Sequence, residues 1–291
     1  MHFDSILAVS DFSALSTHAL ERAALLARQH QSTLRLIHLD EGPNIHPTDP
    51  IARLGQRARQ LARRHEISVH AIERSASLDA VLAEAGASTL LVMGPLSQRS
   101  WKRFHRGTTL DQAVRGSLCP LLVVKQEPGR AYGHVLVAVD LSARTKPLID
   151  FASRFSTPTM LKLFHAIDTL EDSKLRSVQV SAEAIQANRF NSRQHARDRL
   201  AQLIGALDIS TAASEGPPLA FEVGNGDPAY TTALHQLSSQ AELVVVGKRR
   251  SSPLAQFLTG SVAQRLAKWA AGDVLIAPFD HLKVASAADQ L

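Results

Sequence analysis

The residues of this chain that could do chemistry are glycines, hydroxyl residues and basic side chains in one order, and that order occurs twice. Leu243 to Ser261 reads LVVVGKRRSSPLAQFLTGS, and Leu90 to Thr108 reads LLVMGPLSQRSWKRFHRGT. In both, an apolar run ends at a glycine, a polar loop follows, and a second glycine and a hydroxyl residue open an amphipathic pattern. A strand, a loop and a helix N-terminus bind phosphate, because the first helical N–H groups are unpaired and the helix dipole is positive there. The pattern therefore indicates a phosphate-type loop in each half.

The register of the two loops indicates a duplication of the chain. Gly94 and Gly107 are 13 residues apart, and so are Gly247 and Gly260. Chance glycines would not keep this spacing together with the apolar run and the hydroxyl. DFSA at 11–14 also matches DLSA at 140–143. An internal repeat of this length predicts two copies of one domain.

Length and composition fit two globular domains. The 291 residues exceed the usual size of one domain, and 45% apolar residues are ample for two cores. We predict domain 1 over 1–127 and domain 2 over 134–280, with a polar linker at about 125–134. From Phe279 to Leu291 the chain reads as a loose tail, of which 281–291 lie beyond domain 2.

Composition also bounds location and partners. The lone Cys119 fits a reducing compartment, the start of the chain lacks the basic region of a signal peptide, and no apolar run reaches the ~20 residues of a membrane span. We expect a cytoplasmic protein. The net charge of +5 is spread over mixed basic and acidic residues and aromatics are 5%, so nucleic acid is not favoured as a partner. The 13 histidines show no metal-ligand spacing, and no metal site is expected.

Apolar runs alternate with helical patterns along both halves, which is typical of α/β domains with parallel sheets. Asp11 or Asp140 ends the first strand of each half, and Gly94 or Gly247 ends the fourth. In a doubly wound sheet the ligand crevice lies at the carboxyl ends of the strands, at the switch point. If the first and fourth strands are neighbours there, the acid and the glycine loop face one another across one cleft. That is the geometry of a nucleotide site.

The tandem arrangement, the aspartate after the first strand and the loop Gly-x-x-Gly-(nine residues)-Gly-Ser/Thr resemble the universal stress protein family over nearly the whole chain. The resemblance implies two tandem, doubly wound, five-stranded parallel-sheet domains that are Rossmann-like, or adenine nucleotide alpha hydrolase-like. It also implies a pseudo-dimer of domain 1 against domain 2 through their last strands, and a stress-response role. Members with the full loop bind ATP or AMP, others bind none, and many dimerise.

Carried over residue by residue, the resemblance implies a cofactor-binding set in domain 2 and a weaker second set in domain 1. The domain 2 set is Asp140, Gly247, Lys248, Arg250, Gly260, Ser261 and Val262. The domain 1 set is Asp11, Gly94, Ser97, Gly107 and Thr108.

Both loops depart from the pattern at its second glycine, where Arg250 and Ser97 stand. Two outcomes are open: the replacement of the glycine blocks the ligand, or, in domain 2, the guanidinium of Arg250 takes the place of a backbone contact to the phosphate. Domain 2 is favoured as the binding half, because Pro95 has no N–H to offer and Trp101 adds bulk, whereas the basic residues after Gly247 can neutralise phosphate.

Other chemistry is not indicated. Neither loop is a Walker A motif and no GxSxG elbow occurs, so no catalytic residue is assigned. Two function classes remain. One is a stress-response protein in which ATP or AMP, with or without Mg²⁺, modulates partner or dimer contacts. The alternative is a ligand-free scaffold or interaction protein with degenerate loops. A weak ATPase is a third reading.

Overall fold

The computed structural model describes residues 3–40, 49–86, 88–95, 108–156, 159–169, 181–206, 219–248 and 261–282, and strands alternate with helices along them. The first half contains β1 Ser5–Ser10, α1 Ala14–His30, β2 Thr33–Leu39, α2 Pro50–His65, β3 Val69–Ala76, α3 Leu78–Glu84, β4 Thr89–Met93, α4 Thr109–Gly116 and β5 Leu121–Val123. The second half contains β6 His134–Ala138, α5 Thr145–Ser156, β7 Met160–Ile167, α6 Ala182–Ala206, β8 Ala220–Asn225, α7 Pro228–Ser239, β9 Leu243–Lys248, α8 Val262–Trp269 and β10 Asp273–Pro278.

These strands form one ten-stranded sheet in the order β3-β2-β1-β4-β5-β10-β9-β6-β7-β8. Within each half the strands are parallel, and the halves join where β5 pairs antiparallel with β10, with Leu122 opposite Leu275. β1 lies beside β4, and β6 beside β9. The predicted fold class is confirmed, and the first and fourth strands are neighbours at the switch point of each half.

The apolar residues form two core clusters, one on each face of the sheet, and both clusters cross the junction between the halves. The first cluster packs under α1, α2, α5 and α6, and the second under α3, α4, α7 and α8. The central strands are buried on both sides, which explains why their sequences are continuous apolar runs rather than alternating ones. The apolar residues thus pack on the two faces of one sheet. Each core contains residues of both halves, so the two cores are not one for each domain.

The segment between the halves is packed into the junction. The Tyr132 side chain is buried and its hydroxyl donates a 2.5 Å hydrogen bond to Oδ2 of Asp273. Oδ1 of the same carboxylate accepts from the backbone N–H groups of Lys125 and Gln126 at 2.8 and 3.1 Å. Buried polar groups of this kind are retained only when hydrogen-bonded. The connection therefore holds the halves in one arrangement.

One sequence expectation differs from the structure. The loose tail is wrong for its first four residues: 279–282 form a helical turn and Leu282 is 3% exposed within the core. Residues 283–291 lie outside the described residues, and the predicted domain boundaries remain predictions. Among the helices that the structure describes, none is long and apolar enough to cross a membrane.

Candidate functional site

The two aspartates that follow β1 and β6 take the same local conformation. Oδ1 of Asp140 accepts from the backbone N–H and the hydroxyl of Ser142, at 3.1 and 2.6 Å. Oδ1 of Asp11 accepts from the N–H of Ser13 at 3.0 Å. The residue after each aspartate is left-handed, with φ of 59° at Phe12 and 57° at Leu141, and aspartate turns of this kind satisfy backbone groups at strand ends. The DxS repeat is therefore a structural repeat as well.

The two hydroxyl residues both begin a helix with a reciprocal capping box. Ser261 Oγ accepts from the N–H of Gln264 at 3.2 Å, and Gln264 Oε1 accepts from the N–H of Ser261 at 2.9 Å. Thr108 and Asp111 do the same at the start of α4. The predicted helix starts are confirmed. Capping uses two of the unpaired donors of each helix and leaves the others available to an anion.

Five of the seven residues predicted for the second half line one cleft. The cleft has a volume of about 440 Å³ and lies at the carboxyl ends of β6, β7 and β9, against the start of α8. The five residues are Asp140, Gly247, Lys248, Ser261 and Val262. The parallel pairing of β6 with β9 brings Asp140 close to Gly247 and Lys248, since Ala138 lies beside Val246.

The other two predicted residues of this half, Arg250 and Gly260, lie outside the described residues, as do Ser97 and Gly107 of the first half and Trp101. In the first half the structure places Asp11 and Gly94 at the ends of neighbouring strands and Thr108 at the start of α4.

Lys248 has a different position from the one expected of a phosphate ligand. It lines the cleft, but its Nζ donates to the carbonyl oxygens of Arg115 and Ser117, at 2.7 and 2.8 Å, at the end of α4 in the other half of the chain. Helix C-termini carry unpaired carbonyls and a partial negative charge, which a lysine neutralises. Its ammonium therefore joins the two halves in this structure.

Gly247 is covered by an aromatic side chain. A Cβ built on Gly247 would fall 2.7 Å from Cε1 and 3.0 Å from Cε2 of Phe279, and closer still to Cζ, so the tip of this ring touches the glycine. The guanidinium of Arg144 lies over the ring, 5.0 Å from its centroid. Phe279 and Arg144 both line the cleft. Neither residue was predicted for the site, and Phe279 was expected to belong to a loose tail.

Gly94, the counterpart of Gly247, is covered by backbone. A Cβ there would lie 2.9 Å from the carbonyl carbon and oxygen of Leu15 and 3.2 Å from the N–H nitrogen of Ser16. The cause is the helix start: α1 begins three residues after Asp11, whereas α5 begins five residues after Asp140. The later start of α5 leaves room at the end of β9 that the first half fills with helix.

His165 and Thr145 also line the cleft, and neither was predicted. Nδ1 of His165, near the end of β7, is 2.8 Å from the carbonyl oxygen of Val139. Thr145 is 1% exposed, and its hydroxyl has no hydrogen-bond partner in the part of the chain that the structure describes. The repeated strands LRLIHL at 34–39 and LKLFHA at 161–166 could have identified the histidine, since His38 is its counterpart.

A charge pair links this region to the first half. Lys268 at the end of α8 lies 2.7 Å from Oδ2 of Asp111 in α4. Burial alone would raise the pKa of Asp111, but hydrogen bonds from Lys268 and Thr108 hold that pKa below its ordinary value. Among the described residues there is no group of three histidines, cysteines or acids that could hold a metal ion.

A protein family model matches both halves of the chain. The model of the family described as the universal stress protein family matches residues 2–125 and 131–278. No curated protein matches the sequence.

Solved structures match over the full length. A universal stress protein from Archaeoglobus fulgidus DSM 4304 is 14% identical, covers 96% of this chain and 100% of its own, and has a TM-score of 0.62. A putative universal stress protein from Pseudomonas aeruginosa UCBPP-PA14 is 18% identical, covers 98% of each chain, and has a TM-score of 0.61. At these identities the likeness concerns the fold. A half-length match is a universal stress protein in complex with cAMP, 24% identical over 51% of this chain and 98% of its own, with a TM-score of 0.34.

Proposed function

The chain belongs to the universal stress protein family, and from this premise we propose that the cleft of its second half binds an adenine nucleotide, ATP or AMP, with or without Mg²⁺. The bound nucleotide modulates the contacts of a cytoplasmic stress-response protein with a partner or with a second copy. Domain 2, over 134–280, is the binding half in this proposal.

One observation carries the proposal: five residues that the family resemblance implies for nucleotide binding line a single cleft of about 440 Å³. Small-molecule sites are concave, of about 300–1,000 Å³, mostly apolar, and contain a few converging polar groups. Asp140 supplies a carboxylate on one side for the hydroxyls of a ribose. The start of α8 at Ser261 supplies N–H groups and a positive dipole end on the other side for phosphate.

Thr145 supports the proposal independently. A hydroxyl in a residue that is 1% exposed, without a partner in the described chain, is uncommon, because buried polar groups are nearly always hydrogen-bonded. Thr145 lies in the first turn of α5 and in the wall of the cleft. An ordered water or a ligand atom in the cleft would satisfy it.

The proposal is tested by isothermal titration of the full chain with ATP plus Mg²⁺ and with AMP. We expect binding, and a Kd at least tenfold weaker in Asp140→Ala, which is about 1.4 kcal/mol of lost interaction. Asp11→Ala is the matched control, since it removes the equivalent carboxylate and the equivalent turn in the first half. No heat and no thermal shift at millimolar nucleotide would end the proposal, and equal losses in both variants would remove the assignment to the second half.

A ligand-free interaction protein is the second candidate, and two observations favour it. The ammonium of Lys248 donates to two carbonyl oxygens at the end of α4. In addition, Tyr230, Leu234 and Leu237 of α7 are 56%, 48% and 62% exposed at a spacing that forms one stripe of the helix. Mass spectrometry of small molecules released from the denatured protein separates the candidates: adenine nucleotide supports the first, and its absence together with negative titrations supports the second.

A further inference from the structure

The ring tip of Phe279 lies against Gly247, the last residue but one of β9. Its Cζ, Cε1 and Cε2 atoms are the nearest contacts of the position where a Cβ of Gly247 would stand. The ring is half-buried and belongs to the turn 279–282, which the buried Leu282 anchors in the core. The edge of a ring thus lies where a glycine would otherwise let a ligand approach the backbone.

The two halves of the chain close their strand-end glycines by different means. At Gly94 the neighbour is the backbone of α1 at Leu15, which cannot withdraw without unwinding the helix. At Gly247 the neighbour is a side chain, which can turn about its own bonds. The residue that corresponds to Phe279 in the first half is Gln126, because Leu122 and Leu275 occupy equivalent positions where β5 meets β10. Among the residues that the structure describes, a side chain that can move away from this glycine is therefore found in the second half only.

Arg144 holds the ring in place. Its guanidinium lies over the ring at 5.0 Å from the centroid, a favourable arrangement of a cation and an aromatic face. Arg144 directly precedes α5 and lines the same cleft as Gly247 and Ser261. A phosphate that enters between these residues meets the ring tip at Gly247 and offers the guanidinium a stronger, charged partner.

We infer that Phe279 is the specificity-determining residue of the second-half cleft: its ring excludes phosphate groups from the surface of Gly247. The cleft therefore discriminates against ligands with a long phosphate chain. This inference rests on the proposed nucleotide function and adds to it the residue that decides which nucleotide is taken. The nucleoside part lies toward Asp140 and is not affected by the ring.

The test compares the affinities of ATP and adenosine in three forms of the full chain. Phe279→Leu removes the ring tip at Gly247 and keeps an apolar side chain in the turn, and Phe279→Ala removes the whole ring. Gln126→Ala is the matched control at the corresponding position of the first half, where the side chain is exposed. Melting temperatures establish that each variant is folded, and isothermal titration gives the dissociation constants.

We expect Phe279→Leu to bind ATP at least tenfold more tightly than the wild type, with the affinity for adenosine changed less than threefold, and Gln126→Ala to bind both as the wild type does. If Phe279→Leu does not fold and Phe279→Ala does, we expect the same changes in the affinities for ATP and adenosine in Phe279→Ala. An unchanged or weaker affinity for ATP overturns the inference and leaves the nucleotide function standing. An equal gain for adenosine also overturns it, since the ring would then exclude any ligand. Absence of binding in all forms overturns both.

Discussion

The ammonium of Lys248 donates a 2.8 Å hydrogen bond to the carbonyl oxygen of Ser117, across the junction of the two halves. The junction contains the reciprocal contact, since Nζ of Lys125 lies 2.5 Å from the carbonyl oxygen of Ala270. The accepting carbonyls are equivalent in the repeat, because Ser117 and Ala270 both end the helix that follows the loop. The donors are not equivalent: Pro278 and Pro95 stand at the positions that correspond to Lys125 and Lys248.

Each half therefore supplies one lysine to the other from a different place. An exact duplication would place a lysine at both equivalent positions. Here the equivalent of each lysine in the other half is a proline, which has no ammonium group. The junction has diverged while both helix ends remain neutralised. For Lys248 this explains how a residue in the wall of the cleft comes to serve the contact between the halves.

The first prediction concerns this contact. Lys248→Met keeps the apolar stem and removes the ammonium, so two carbonyls at the end of α4 lose their charged partner. We expect a loss of about 1–2 kcal/mol in the free energy of unfolding, measured by urea denaturation. Lys146→Met is the control, since it breaks an exposed pair with Asp150 at 3.7 Å and costs less than about 0.5 kcal/mol. Equal effects would mean that the junction contact contributes nothing.

The second prediction concerns the pH dependence of the other lysine. Burial lowers the pKa of Lys125 from its ordinary 10.5 to about 8, although the nearby Asp273 carboxylate opposes the shift. Between pH 8 and 10.5 the unfolded chain then holds a proton that the folded chain has lost, so this group makes the fold more stable as the pH rises. We expect the melting temperature of the wild type, relative to Lys125→Met, to increase from pH 7.5 to 10. A constant difference would contradict the lowered pKa.

The third prediction tests the different contacts of Gly247 and Gly94. Gly247→Ala places a methyl against the tip of Phe279, and Gly94→Ala places one against the backbone of Leu15. Gly94→Ala is expected to lower stability by about 1–3 kcal/mol, as overpacking does, and Gly247→Ala by less, because the ring can turn aside. Combined with Phe279→Leu, Gly247→Ala should lose most of its cost, whereas Gly94→Ala should keep its cost.

Thermal and urea unfolding of the double mutants measure the coupling. Gly205→Ala in α6 is the control, since nothing lies within 4 Å of its Cβ position and alanine favours the helix. Additive effects of Gly247→Ala and Phe279→Leu would show that the ring does not touch the glycine in solution, and would also weaken the inference about ligand specificity.

The fourth prediction concerns the buried carboxylate of the junction. Asp273 is 0% exposed and accepts from Tyr132, Lys125 and Gln126, and Nε of Arg22 lies 3.6 Å away. Burial raises the pKa of Asp273, with these hydrogen bonds and the arginine opposing the shift. Asp273→Asn leaves Arg22 without its countercharge, and we expect a loss of about 3–5 kcal/mol.

Urea unfolding checks this value, with Asp150→Asn at an exposed helical position as the control. Because Asp273 joins the connecting segment, α1 and β10, the unfolding transition of the variant should move to a lower urea concentration. A single transition with unchanged midpoint would contradict the role assigned to this residue.

Much of the fold could be predicted from the sequence because its signals are local and repeated. The buried strands are continuous apolar runs, and Thr108 and Ser261 each cap the helix that was expected to follow them. The match of DFSA at 11–14 with DLSA at 140–143 indicated that Asp11 and Asp140 have equivalent positions after the first strand of each half. Five members of the predicted site of the second half were brought to one cleft by the order of parallel strands, which the α/β pattern implies.

The rest depended on contacts between distant segments, which carry no local pattern. By itself the sequence determined the duplication, the α/β class, the neighbouring strand ends and the acid and hydroxyl residues of the cleft, since these follow from periodicity and spacing. Only the tertiary structure decided that the cores run along two faces of one sheet and that Lys248 turns to α4. It also decided that Phe279 covers Gly247 whereas Leu15 covers Gly94. The physical reason is that the neighbours of a glycine come from segments distant in sequence. α5 begins two residues later than α1 relative to the aspartate before it, and the turn 279–282 follows β10. These two differences change what packs on Gly247 compared with Gly94, although both residues are glycine.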